Sequence, residues 1–175
     1  MRYTSFTLLV FIYLVGCSKR TYDRAERFYE YGGERYRIHT SIEGIKRNAD
    51  VYAIDLSNNS LSSFPKRLEE FPHLILLDLR HNQLTTLDEG LCKLSNLKAL
   101  LLGGNQMKTL PSCVYDMTQL EVLTMFGCRM DISKESFAKL VNLRFLGMGG
   151  NNFSEEDLNF LKEHLPNCRI IVSVD

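Results

Sequence analysis

Leu74-Ile75-Leu76-Leu77-Asp78-Leu79-Arg80-His81-Asn82-Gln83-Leu84 is the stretch that decides how the chain is read. Its framework residues are Leu74, Leu77, Leu79, Asn82 and Leu84. Upstream, Val51, Ile54, Leu56, Asn59 and Leu61 hold the same places. Downstream come Leu97, Leu100, Leu102, Asn105 and Met107, then Leu120, Leu123, Met125, Cys128 and Met130, then Leu143, Leu146, Met148, Asn151 and Phe153. The copies start at 51, 74, 97, 120 and 143, a constant period of 23 residues. The period also accounts for the composition, since 24 of the 27 leucines lie after residue 50.

The pattern L-x-x-L-x-L-x-x-N/C-x-L resembles the leucine-rich repeat family over residues 51 to about 165. The physics agrees with the resemblance. The middle of each copy alternates apolar and variable residues, the period of a strand with one buried face. One copy cannot bury its leucines alone, whereas a stack of them can. The Asn carries donors and an acceptor to the backbone groups that the turning chain leaves without ladder partners. At Cys128 a thiol takes that place, so this turn is expected to be the least constrained. The resemblance implies an α/β, right-handed, horseshoe-shaped solenoid with a parallel concave sheet.

The convex side is expected to change along the chain. Phe64-Pro65, Leu87-Asp88 and Leu110-Pro111 begin short return paths, irregular or 3₁₀ in form. Residues 133–140 look more helical. Ser154-Glu155-Glu156-Asp157 reads as a capping box before Leu158, Leu161 and Leu165 on one helical face, and Pro166 ends that helix. Segment 166–175 supplies a last strand through Ile170, Ile171 and Val172. At the other end, segment 40–50 is expected to cap the first repeat. Thr40-Ser41-Ile42-Glu43 is a capping-box pattern, and Ile42 and Ile45 are spaced for a helix over about 41–48, with Gly44 weakening it.

The N-terminal residues differ in kind. Arg2 precedes an apolar run from Phe6 to Val15, too short for the roughly 20 residues of a spanning helix. It ends Leu14-Val15-Gly16-Cys17, with no A-x-A-like cleavage site. This resembles the bacterial lipoprotein lipobox. The resemblance implies a signal peptide over 1–16 and lipid attachment at Cys17. Ser18 stands where an Asp would signal inner-membrane retention, so an exported protein anchored at the outer membrane is expected. An uncleaved hydrophobic anchor is the alternative. Residues 17–39 read as a tether or leader. Their Tyr22, Phe28, Tyr29, Tyr31 and Tyr36 suggest that part of it packs on the domain, since a free linker is Gly/Ser- or Pro-rich.

Charge and chemistry narrow the function. Lys plus Arg equals Asp plus Glu at 21 each, which excludes a generally basic nucleic-acid binder. His39, His73, His81 and His164 are scattered among repeats, so no metal site and no cofactor are expected. No nucleophile, base and orienting group come together, so the chain reads as a non-enzyme. Cys92 and Cys113 fall on neighbouring return segments. Two free thiols are the default reading, and in an exported protein a disulfide is the alternative.

Function is therefore sought on the concave strand positions. The register places Ala53, Asp55 and Ser57, then Leu76, Asp78 and Arg80, then Ala99, Leu101 and Gly103 there. Val122, Thr124 and Phe126 follow, then Phe145, Gly147 and Gly149. The candidate partner-binding residues are Asp55, Asp78, Arg80, His81, Leu101, Thr124, Phe126 and Phe145, a charged half beside an apolar half. Leu101, Phe126 and Phe145 are expected to be exposed, because the solenoid itself does not bury them. Five strands about 4.8 Å apart, with roughly 13 Å used along each, offer about 300 Å². A standard interface takes about 800 Å² per partner. The face alone thus suits a peptide segment or a weak protein contact. The expected role is a membrane-anchored, monomeric module for protein or peptide binding. The alternative is a structural spacer of the cell envelope with no concave ligand.

Overall fold

The computed structural model describes residues 28–46 and 50–173. The signal segment 1–16, Cys17 and the start of the leader lie outside the described residues. Eight strands form one sheet in chain order. They are β1 (Phe28–Tyr31), β2 (Glu34–His39), β3 (Ala53–Asp55), β4 (Leu76–Asp78), β5 (Ala99–Leu101), β6 (Val122–Thr124), β7 (Phe145–Gly147) and β8 (Arg169–Ile171). From β2 onward every neighbour is parallel, and Ala53, Leu76, Ala99, Val122 and Phe145 stand side by side. The constant repeat length produces that register. An inter-repeat bond continues each strand, as from Leu79 N–H to the Leu101 carbonyl and from Leu102 N–H to the Thr124 carbonyl, at 2.8 and 2.7 Å.

Behind the sheet lies the main core. Leu74, Leu77, Leu79 and Leu84 are fully buried, as are Leu97, Leu100, Leu102 and Met107. The return paths close it with a second 23-residue series, Leu68, Leu91, Val114 and Phe137, also fully buried. Three of these paths are 3₁₀ turns, Lys66–Glu70, Glu89–Lys93 and Ser112–Asp116. Pro65, Asp88 and Pro111 start them, each accepting from the N–H three residues on. The later paths carry helices α1 (Lys134–Phe137) and α2 (Glu155–His164). The capping box at α2 forms in both directions, with Ser154 Oγ accepting from Asp157 N–H at 3.1 Å and Asp157 accepting from Ser154 N–H at 2.8 Å.

The asparagine turns of the second, third and fifth copies behave as their chemistry requires, whereas Asn59 of the first is exposed and its Nδ2 donates to the Ser57 carbonyl. Asn105 Nδ2 donates to the Leu79 and Leu102 carbonyls at 2.9 and 2.7 Å, while its oxygen accepts from Leu84 N–H at 3.1 Å. Asn82 and Asn151 repeat this arrangement. Cys128 substitutes a thiol that reaches the Leu102 carbonyl at 3.4 Å and the Phe126 carbonyl at 3.9 Å.

The N-terminal cap differs from expectation. No helix forms over residues 41–46. Gly44 takes φ +75°, which stops a helix there. The Arg67 guanidinium donates to the Ile42 and Ile45 carbonyls, fixing the segment as an irregular turn. Ile42 and Ile45 still pack on the main core. Within the leader, residues 28–39 pack on the repeats, the part that its aromatics mark. They form a β-hairpin whose Gly32-Gly33 loop has positive φ at both positions, the requirement of a tight two-residue turn. Ile38 and His39 of β2 pair with Ala53 and Ile54, joining the hairpin to the repeat sheet.

Candidate functional site

The concave face carries three rows of side chains, one at each alternate strand position. The first row is Ala53, Leu76, Ala99, Val122 and Phe145. All five are buried, and with Ile38 and Leu101 they make a second apolar cluster on the opposite side of the sheet from the main core. Tyr31 and Tyr36 of the hairpin, Ile75, and Ile171 of β8 pack against it. The expectation that Leu101 and Phe145 stand exposed is thus corrected, since they are 1% and 6% exposed. The hairpin is part of the reason, because it brings aromatic rings to this face.

The hairpin reaches far across the sheet. Tyr31 hydroxyl donates to Glu121 Oε1 at 2.8 Å, and Glu121 directly precedes β6. Glu121 also lies 3.9 Å from Lys98 Nζ and 3.6 Å from Arg144 Nε. Burial, with the Glu121 carboxylate beside it, pushes the Tyr31 phenol up to about 12. Near the hairpin base the Tyr36 and Tyr52 rings lie 4.7 Å apart.

The second row runs Asp55, Asp78, Leu101, Thr124 and Gly147. Asp55, Asp78 and Thr124 are buried, again unlike the exposed positions expected. Asp78 is held by the backbone and the side chain of Arg80. Its Oδ1 accepts from Arg80 N–H at 2.9 Å, and the Arg80 guanidinium grips its oxygens from Nε and Nη2, the latter at 2.7 Å. Burial raises the Asp78 carboxyl above its ordinary range, Arg80 opposes the shift and Asp55 adds to it. Thr124 Oγ1 is buried without a hydrogen-bond partner.

The third row is Ser57, Arg80, Gly103, Phe126 and Gly149, and it is where side chains stay within reach. Phe126 is half-buried. A Cβ added at Gly147 would meet the Phe126 ring at 2.3 Å, so the ring lies flat over bare backbone. His81 is exposed, at φ +54°, and its ring covers Gly104 in the same way, with Nδ1 2.6 Å from where a Cβ would stand. Arg80 keeps 17% of its side chain exposed. Of the eight candidates, the structure therefore brings Arg80, His81 and Phe126 to an accessible rim and sinks Asp55, Asp78, Leu101, Thr124 and Phe145.

Tyr31, Tyr36, Ile38 and Glu121 were not among the candidates. The hairpin residues have a signal in the sequence, in the density of aromatics before residue 40 and in the alternation Arg35-Tyr36-Arg37-Ile38, where exposed Arg alternates with half-buried Tyr36 and buried Ile38; Glu121 has no such signal. On the convex side Cys92 and Cys113 are joined in a disulfide, with Cα atoms 6.0 Å apart, which replaces the default of two free thiols. Cys128 and Cys168 are free. Among the described residues, no three His, Cys, Asp or Glu side chains gather as metal ligands. No described helix is long and apolar enough to cross a membrane.

The architecture and the turn chemistry define a leucine-rich repeat solenoid, a scaffold that commonly mediates protein–protein interaction. Residues 49–107 and 72–130 match the leucine rich repeat family model. A leucine-rich repeat protein of Leptospira interrogans is similar in structure, with TM-score 0.54 and 19% identity over 70% of this chain and 43% of that one. An internalin of Listeria monocytogenes gives TM-score 0.54 and 23% identity over 70% of this chain and 34% of that one. A structure described as a TDR receptor gives TM-score 0.57 and 22% identity over 69% of this chain and 22% of that one. The chain thus matches less than half the length of each, and the likeness is one of fold. No curated protein is significantly similar to it in sequence.

Proposed function

We propose that the protein is a lipid-anchored leucine-rich repeat module of the cell envelope that holds a protein or peptide partner at the rim of its concave face. The observation that carries this reading is the Phe126 ring, half-exposed on the Gly147 backbone, in a row of strand ends that also presents Arg80 and His81 two repeats away. Phe and Arg are among the residues enriched at protein interfaces. The small accessible area favours a peptide segment or a transient protein contact over a large permanent interface.

Export and anchoring rest on Leu14-Val15-Gly16-Cys17 and are supported by the Cys92–Cys113 disulfide, a bond of oxidising compartments. Acyl chains at Cys17 would hold the module at the membrane, with each buried methylene contributing about 0.8 kcal/mol. The outer membrane is the proposed site, and the working form is a monomer.

Crosslinking in intact cells tests the reading. The wild-type chain is expected to capture a defined partner that Phe126→Asp loses at unchanged thermal stability. Identical capture by both chains would sink the rim as a binding site. Cys17→Ala should abolish incorporation of labelled fatty acid and release the protein from membranes. A second reading, an envelope spacer without a concave ligand, draws on the burial of the first row by the chain's own residues. It predicts that Phe126→Asp changes no captured protein.

A further inference from the structure

Phe126 stands in a patch paved with glycine. Gly103 and Gly149 are its neighbours on the third row, and Gly147 lies inward of Gly149 on β7. None of these three has a positive φ, so it is the space above them, and not the backbone, that calls for glycine. A Cβ at Gly103 would stand 3.3 Å from the Phe126 carbonyl oxygen, and one at Gly149 would stand 2.5 Å from the Val172 carbonyl oxygen. Neighbouring backbone thus accounts for both. At Gly147 the three nearest atoms all belong to the Phe126 ring, with Cε2 at 2.3 Å and Cζ at 2.5 Å. Only a ring laid on the strand explains that glycine.

Thr124 is the register partner of Gly147 across β6 and β7. Such neighbours are about 4.8 Å apart, so a ring over Gly147 also lies beside the Thr124 side chain. Thr124 is fully buried, and its Oγ1 has no hydrogen-bond partner. The hydrocarbon ring covers that hydroxyl without bonding it. A buried hydroxyl left so raises the free energy of the fold, and a group brought to bond it recovers the loss.

We infer that the floor of Gly147 and Gly149 is a binding pocket for a tyrosine side chain of an extended peptide, which takes the place of the Phe126 ring and bonds Thr124 Oγ1 through its phenol hydroxyl. The occupant follows from the shape and the polarity of the site. The floor already holds one six-membered ring, reached by Phe126 atoms at both glycines. A phenol keeps that ring and adds the single polar group that Thr124 lacks. A carboxamide would bond the hydroxyl but leave the floor uncovered, and an indole exceeds the footprint. Phe126 is half-buried at the rim, and it yields by rotation of its own side chain. This deepens the proposed binding role and rests on it: Phe126 is the group displaced and Thr124 the group that selects.

The probes are two capped peptides, Gly-Ser-Tyr-Ser-Gly and Gly-Ser-Phe-Ser-Gly, titrated into the full chain in detergent. The Thr124 methyl and Phe126 ring resonances are followed by NMR. The wild-type chain is expected to take the tyrosine peptide at least about 5-fold more tightly than the phenylalanine peptide. Thr124→Val keeps the branched shape and should melt no lower than wild type, while the preference falls to within about 2-fold. Phe126→Ala, with no ring to displace, should bind the tyrosine peptide about 10-fold more tightly than wild type does. Equal uptake of the two peptides by wild type, or a preference that survives in Thr124→Val, overturns the role of the hydroxyl. Uptake by Phe126→Ala alone shows the ring to be a fixed cover and overturns the pocket, as does uptake by no chain. Each of these results leaves the rim standing if Phe126→Asp still loses the crosslinked partner, so the two readings fail separately.

Discussion

Tyr31 and Glu121, 90 positions apart, are joined by a hydrogen bond of 2.8 Å that ties the N-terminal hairpin to the fourth repeat. The neutral phenol is the donor, and its folded value of about 12 lies above the unfolded value of about 10. A group whose folded value is raised stabilises the fold fully below its unfolded value and loses that contribution as pH rises through the folded one. The Tyr31–Glu121 bond is therefore complete below about pH 10 and gone above about pH 12. Tyrosinate absorbance should show a late-ionising component that Tyr31→Phe reduces by one residue. An unchanged late component would disprove the assignment.

Arg80 is the counter-ion that makes the buried Asp78 carboxylate tolerable. Arg80→Met should destabilise the fold by about 3 kcal/mol, because it strands a charge that water cannot reach. Removing Arg80 takes away the group that holds the Asp78 carboxyl down, so its pKa rises further. The defect should then shrink as pH falls and Asp78 protonates. Urea midpoints of both chains between pH 7 and pH 4 measure this. A defect that grows with acid would refute it.

The asparagine turns make opposite predictions for two neighbours. Asn105→Ala orphans two carbonyls and the Leu84 N–H, a loss of about 2–4 kcal/mol. Cys128→Asn replaces a thiol at 3.4 and 3.9 Å with an amide of the same register and should gain about 1 kcal/mol. Thermal melts decide both. A destabilised Cys128→Asn would mean that the pocket is shaped for sulfur.

The cysteines should separate chemically. Reducing Cys92–Cys113, or replacing both by Ser, is expected to cost about 3 kcal/mol, the typical worth of closing a loop of this length. Burial pushes the Cys168 thiol up to about 12 and raises that of Cys128 as well. Both should resist iodoacetamide in the folded protein at pH 8 and react when it is unfolded, since the thiolate is the nucleophile. Mass spectrometry of the labelled chain reads the count, and fast labelling of the half-buried Cys168 in the native state would contradict its raised pKa.

Much of this fold is legible in one dimension. The strand starts, the core leucines, the Asn turns, the 3₁₀ returns opened by Pro65 and Pro111, and the capped helix after Ser154 all stand where the 23-residue period puts them. Each is decided by neighbours close in sequence or one period away, and a constant period converts sequence offset directly into spatial register. The candidate site was legible only in part. The period shows that Leu101, Thr124 and Phe145 face away from the main core. It says nothing of what lies on that other face, and a hairpin from outside the repeats packs there.

The sequence by itself determined the solenoid, because repetition makes every contact between adjacent repeats a local matter. It also determined the chemistry of each turn, since Asn, Pro and Ser satisfy or withhold backbone bonds wherever they stand. The tertiary structure decided the rest. Residues 28–39 form a hairpin laid on the sheet, because Tyr31 meets an acceptor that no local rule places near it. Cys92 and Cys113 are bonded, because two convex turns bring them within reach. The concave row is interior, because burial is a property of what packs on a surface as well as of the strand that makes it. The residues left reachable, Arg80, His81 and Phe126, could be told from their buried neighbours only once that packing was in view.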